Sequence, residues 1–360
     1  MYRKIGWAGS LLFILIIAAI GISACDEQPA SSGPPEDIST NTQTTTATPP
    51  GDVPDSDGSV PITNTATPTR IPSETQTLPP ATGSVVPLSG DGSVRITDGA
   101  YNYFLGSLNP EQTEMIAIAE KDSIWRLVRI DPDQGGLIEF IPEFSVDFLN
   151  PQVSPNGTYI LVASNFDGDY EIYVLNYQSG AYVAKITENF SNDTFPDWFP
   201  DSNRFVFISD DGDREITMSS LERFSGDQAP VQLTFNNSEE YSPHVSLDGE
   251  TIVYYSSRDN NIDIYVYAMK DGTEERITTD RARDAEGTFS PDGEWIVFES
   301  DRAGNYDIWA VRTDGSDLQQ VTSDSAHEQV PYFSHDGEWL FYQRSEDDGF
   351  YDIYRIPWDK

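Results

Sequence analysis

The sequence predicts an all-β fold: a six-bladed β-propeller of four-stranded blades, its ring closed by an N-terminal strand at about 93–97 that joins the C-terminal blade. Three observations predict it. A turn signature recurs six times, with Pro110, Pro155, Pro200, Leu247, Pro291 and His335 as its second residues, at intervals of 45, 45, 47, 44 and 44. A threonine precedes most of these anchors by a constant 13 residues: Thr97, Thr187, Thr234, Thr278 and Thr322, with Pro142 standing in for the missing one. Finally, Val94-Arg95-Ile96-Thr97 reads as a fourth strand with no blade before it, while the sixth unit has no fourth strand of its own. Repeats of this length match one propeller blade each.

Every unit reads as four short strands. The first enters with Pro and apolar residues, as in Pro331-Tyr332-Phe333. The corner after it is clearest in Ser290-Pro291-Asp292-Gly293. Pro presets φ, Asp suits the next position, and Gly accepts the left-handed conformation that closes a hairpin. The second strand is apolar throughout, as in Trp295-Ile296-Val297-Phe298; such a strand is covered on both faces, as when blade packs on blade. A polar loop then leads to the third strand, for example Ile262-Asp263-Ile264-Tyr265, Tyr306-Asp307-Ile308-Trp309 or Tyr351-Asp352-Ile353-Tyr354. A second turn, Asp271-Gly272 or Asp314-Gly315, precedes the fourth strand and its Thr. Two units depart from the pattern. The first lacks Gly in its corner, and the third reads Arg214-Glu215-Ile216-Thr217 where the others have Asp-Ile-aromatic.

Upstream of the repeats, residues 1–24 combine Arg3 and Lys4, an apolar run from Ile5 to Ile22 and small residues before Cys25. That is the pattern of an export signal, and the run is long enough to cross a bilayer. The aliphatic-small-small-Cys ending resembles the lipobox of bacterial lipoproteins. The resemblance implies a signal peptide removed before Cys25, a lipid on the Cys25 sulfur, and an exported chain anchored to the outer side of the cell membrane. Cys25 is the only cysteine, so no intramolecular disulfide can form and the domain depends on its core. Residues 25–89 are rich in Thr, Pro and Ser, with too few apolar side chains to offset the entropy of ordering. A disordered linker is expected there, spanning roughly 40 Å if coil-like or about 190 Å if polyproline-like. The propeller is expected over residues 90–360.

Sixty acidic residues against 21 Lys and Arg leave a net charge of -39. Such a surface argues against nucleic acid as a partner and against electrostatic adhesion to anionic lipid. A basic partner or a divalent cation is compatible with it.

The corner, the apolar run, the Ser300-Asp301-Arg302 loop, the Asp-Ile-Trp strand and the Leu233-Thr234 ending resemble the WD-like repeats of the TolB propeller family. The likeness covers about residues 90–360 and is strongest in the last three repeats. It implies a six-bladed propeller exported across the inner membrane. TolB itself carries an α/β domain before its propeller, where this chain has the lipobox and the Thr/Pro-rich spacer. A role in the Tol–Pal system therefore does not transfer with the fold.

Candidate chemistry is sparse. Related propellers cover prolyl oligopeptidases, whose hydrolase domain needs a G-x-S-x-G elbow; none occurs. His244, His327 and His335 fall at different heights of their blades and do not suggest one metal centre. Calcium is the cofactor to consider, because Asp167, Asp169, Asp211 and Asp213 stand at alternate positions beside glycines. Neither loop completes a twelve-residue calcium pattern, and Asp with Gly is also ordinary turn chemistry. Arg258 and Arg302 precede Asp263 and Asp307 by five residues in both cases. This recurrence marks them as structural, each Arg pairing with a nearby Asp or a backbone carbonyl.

The non-periodic positions are the candidates for binding. Seven residues before each anchor stand Tyr103, Phe148, Asp193, Glu240, Asp284 and Glu328, with Tyr241, Arg283 and His327 close by. This register predicts a channel mouth with an acidic arc and an aromatic arc, suited to a basic peptide, a sugar or a cation. The alternative is that these acids accept hydrogen bonds at strand starts. The expected function is a non-enzymatic, membrane-tethered extracytoplasmic module that binds or scaffolds a protein partner or an envelope glycan. The alternative is a cell-envelope lyase or hydrolase using the acidic mouth residues with a divalent cation.

Overall fold

The Ser-Pro-Asp-Gly corners close through their own side chains. Ser290 Oγ accepts the Trp295 N–H at 2.9 Å and donates to Asp292 Oδ1 at 2.5 Å, while Gly293 N–H reaches back to the Ser290 carbonyl at 2.9 Å. Ser246 and Ser334 make the same contacts in blades four and six. Gly157, at φ +68°, shows a second constraint: a Cβ there would come within 3.3 Å of Pro110 in the preceding corner. The Pro and the Gly of the motif are therefore also a contact between blades.

The computed structural model describes residues 86–87, 92–141, 147–222, 229–345 and 350–360. The export signal, Cys25 and nearly all of the expected linker lie outside the described residues. Six antiparallel sheets follow one another along the chain, and the predicted fold class is the one observed. Their first strands, Asn102–Leu108, Phe148–Val153, Asn192–Trp198, Glu240–Val245, Asp284–Phe289 and His327–Phe333, lie innermost. Each touches the next and the sixth touches the first, so the ring is closed.

Closure runs through the N-terminal strand. Val94 lies opposite Arg355 and Arg95 opposite Tyr354, completing blade six. Thr97 Oγ1 accepts the Ile353 N–H at 2.9 Å and donates to Asp352 at 2.6 Å, and Ile96 is buried in the core between blades six and one. The recurring Thr has the same job elsewhere: Thr187, Thr234, Thr278 and Thr322 accept the N–H of Ile172, Ile216, Ile264 and Ile308 at 2.9–3.0 Å. One strand was not foreseen. Val86–Pro87, from the stretch expected as linker, pairs with Val94–Arg95 as a fifth strand of blade six.

Strand direction defines two faces. The Ser-Pro-Asp-Gly corners lie at the lower end of every blade. The loops between second and third strands, and the connections from one blade to the next, lie at the upper end. Second strands are buried on both faces, as their sequence requires; Trp295–Ser300 is buried at every residue. Inner strands carry a bulge that the sequence did not reveal. Asn150, Phe195, Ser242, Glu286 and Val330, each five residues before its anchor, take positive φ of 46–52°. Where the bulge loosens the ladder, the preceding blade supplies an acceptor: Glu299 takes the Val330 N–H at 3.3 Å and Gln343 the Leu105 N–H at 3.1 Å.

Candidate functional site

The four mouth carboxylates are where the register put them, at the upper end of consecutive inner strands. They do not form an open rim. Asp193, Glu240, Asp284 and Glu328 are each 0% exposed. Each faces a second buried acid, the first residue or so of the preceding blade's third strand: Glu171, Glu215, Asp263 and Asp307. A buried carboxylate is tolerable only with donors around it, and each junction supplies them.

At the junction of blades two and three, Ser209 Oγ donates to Asp193 at 2.6 Å and Asn189 Nδ2 at 2.8 Å, while the Asn189 N–H binds Glu171 at 2.9 Å. At the next junction Ser256, Asn236 and Arg258 approach Glu240 at 3.0, 3.2 and 3.2 Å. Further round, an aspartate replaces this asparagine and arginine does more of the holding. Arg302 grips both oxygens of Asp284 at 2.7 Å and reaches Asp280 at 3.0 Å. Arg344 spans Glu328, at 2.8 Å, and Asp324. Arg302 thus pairs with aspartates at the blade end, and Asp307 stands apart from that clasp. The strand-three acids look outward instead, Asp263 to Arg276 at 2.6 Å and Asp307 to Gln320 at 3.1 Å.

These clasps shift acidities. Burial pushes Asp193 up to about 7, against the donors that hold it. Burial, then the neighbouring Glu215 carboxyl, pushes Glu240 up to about 8. Glu328 rises to about 8 through burial and then Asp324.

The remaining candidates scatter. Tyr103 is buried and donates to Asp98 at 3.1 Å, and Phe148 is buried as well, so neither lines an aromatic arc. Tyr241, half-buried, stacks on Tyr255 with centroids 4.9 Å apart and binds Arg214 at 2.6 Å. Arg283 pairs with Glu299 at 2.5 Å between the rings of Tyr255 and Tyr306. His327 is exposed and lies 5.8 Å from Tyr306, ring to ring. His244, three residues before its anchor, is half-buried 3.7 Å from Asp197; burial lowers its pKa to about 4 and raises that of Asp197 to about 7, so the pair is not an ion pair at neutral pH. Of the residues considered for calcium, Asp167 takes Lys185 at 2.5 Å and Tyr173 at 3.0 Å. Asp211 and Asp213 are exposed at the tip of the blade-three loop, and Asp169 is half-buried. Among the described residues no group of three or more His, Cys, Asp or Glu is placed to hold a metal ion.

A family model for the TolB beta propeller domain matches residues 133–262 and 236–356, more than half of the chain. The chain belongs to the TolB β-propeller family. Among solved structures, a TolB-family relative described as putative TolB from Agrobacterium tumefaciens is 27% identical over 59% of this chain and 74% of its own, with a TM-score of 0.50. TolB from Acinetobacter baumannii is 21% identical with a TM-score of 0.54, covering 73% of this chain, which spans 65% of that one. An oligogalacturonate lyase in complex with manganese reaches a TM-score of 0.54 at 10% identity, over 78% of this chain and 97% of its own. The last two likenesses show the fold alone. No curated protein matches the chain significantly.

Against this TolB-type framework, the feature that sequence reading missed is apolar. Phe190, Phe235 and Phe350 are 106%, 73% and 50% exposed, and all three lie on the upper face. Among the described residues they are the exposed phenylalanines, and Ile124 accompanies them at the same end of blade one. The available signal was a large apolar residue just after the fourth-strand Thr, at Thr187-Glu188-Asn189-Phe190 and Thr234-Phe235.

Proposed function

We propose that this chain is a membrane-tethered, extracytoplasmic TolB-type propeller that binds and scaffolds a protein partner through its upper face. One observation carries the reading. The mouth carboxylates that catalysis or cation binding would use are enclosed in blade junctions, whereas the same face turns three phenylalanines to solvent. Exposed aromatic side chains are the usual anchors of protein interfaces. The lipid anchor at Cys25 and the export signal rest on the N-terminal motif. No helix among the described residues is long and apolar enough to cross a membrane.

The test uses the intact chain. Labelling with a radioactive fatty acid is expected to mark the wild type in the membrane fraction and to leave Cys25→Ala unmarked. Chemical crosslinking of the wild type in cells is expected to give a discrete protein adduct that excess purified propeller competes away. Absence of a competable adduct, or turnover of an envelope glycan that needs added divalent cation, would overturn the binding-module reading.

A further inference from the structure

Among the described residues, the upper edge of blade three carries two of the three exposed phenylalanines. Phe190 sits on the connection that enters its inner strand, and Phe235 on the connection that leaves its outer strand. Between them, at the same end, lies the loop of the two middle strands, Asp211-Gly212-Asp213. Both aspartates are exposed, as are Glu188 beside Phe190 and Glu239 beyond Phe235. Arg214, the basic residue of this loop, is already held by Asp210 and Glu239 at 3.2 Å and by Tyr241 at 2.6 Å. Blade three is also the unit whose third strand abandons the repeat pattern. Acidity alone does not choose this place, because the lower corners expose Asp248, Asp292 and Asp336 as well. The two phenylalanines do.

The spacing sets the shape of the occupant. Four strands at about 4.8 Å put the inner and outer edges of a blade roughly 14 Å apart. An extended chain covers that distance in about four residues. We infer that the upper edge of blade three docks a polypeptide segment with two apolar side chains about four residues apart and basic residues between them. The apolar pair covers Phe190 and Phe235, and the basic residues meet Asp211 and Asp213. This inference rests on the binding-module reading above and names the partner chemistry and the place. Acidic glycans are repelled by the same carboxylates, which is why a polypeptide fits better than an envelope polysaccharide.

The probe is a fluorescent peptide with two phenylalanines four residues apart and lysines between them, titrated against the full chain. Binding is expected to weaken with salt. The double variant Phe190→Ser with Phe235→Ser is expected to lose about tenfold or more in affinity. Asp211→Asn with Asp213→Asn should weaken binding and flatten its salt dependence. Leu247→Ser, exposed on the lower face, should change nothing. All five positions are solvent-exposed, so unchanged melting curves will establish that the fold is intact. Equal affinity in the phenylalanine double variant, equal binding of a glutamate-containing peptide, or displacement by a neutral oligosaccharide would overturn the inference. If the cellular adduct forms equally with wild type and the phenylalanine variant, the module binds elsewhere and only this inference fails. If wild type forms no adduct, the function proposed above fails first.

Discussion

Excising residues 92–97 from the full chain is expected to lower the melting temperature by at least about 10 °C and to produce dimers or aggregates. The segment is short, yet several interactions depend on it at once. Ile96, 2% exposed, leaves the core between blades six and one. Tyr342 loses its 2.9 Å bond to Ser93, and the Ile353 N–H loses Thr97. Asp352 loses Thr97 and Arg95 together, which strands a buried carboxylate. Tyr351–Pro357 then becomes an open edge, ready to pair with another copy. Thermal unfolding with size-exclusion chromatography reads both effects. A control lacking residues 1–85 retains Val86–Pro87 and Val94–Arg95 and is expected to melt as the full chain does. Equal melting temperatures for the control and the excised chain would show that the ring does not close this way.

The second large effect is on pH. Asp193, Glu240 and Glu328 carry folded pKa values of about 7, 8 and 8, each raised chiefly by burial. In the unfolded chain such carboxyls titrate near 4. Between these limits the folded protein holds more protons than the unfolded one, so its stability falls as pH rises. The slope approaches about 1.4 kcal/mol per pH unit for each proton of difference. Surface aspartates act in the opposite sense. Hydrogen bonds from Ser246, Ser316 and Ser334 lower Asp248, Asp314 and Asp336, whose contribution disappears as pH drops through their own range. Maximal stability is therefore expected near pH 5. The melting temperature is expected to fall by about 10 °C or more by pH 8.5, and Glu240→Gln should flatten that fall. A melting temperature that is level or rising across this interval would contradict the buried-clasp description.

The architecture was legible because its signals are local and periodic. The Ser-Pro-Asp-Gly corner needs Pro, Asp and Gly for reasons confined to four residues. The Thr thirteen residues before each anchor turns out to accept one particular backbone N–H in five blades. Even ring closure could be read, since Val94–Thr97 had no blade of its own. The upper face was harder. Sequence displays the charge of Asp284 but not its burial, and its partner Arg302 stands eighteen residues away, beyond any local motif. The same distance separates Glu240 from Arg258, so the pairing becomes visible only when blades are aligned on their inner strands. Bulges at Ser242 and Val330 left no trace, because no glycine marks them. Phe190 and Phe235 went unremarked because one apolar residue in a loop is ordinary. What sets them apart is the shared blade end, which only the fold discloses.

The central claim is that recognition belongs to the loops above blade three, while the mouth carboxylates serve the fold. A photo-reactive phenylalanine analogue placed singly at positions 190, 235, 247 and 318 of the tethered chain, followed by irradiation in cells, tests it most directly. The account predicts a discrete protein adduct from positions 190 and 235 and none from 247 or 318. Adducts from the lower positions alone, or equally from all four, would contradict it.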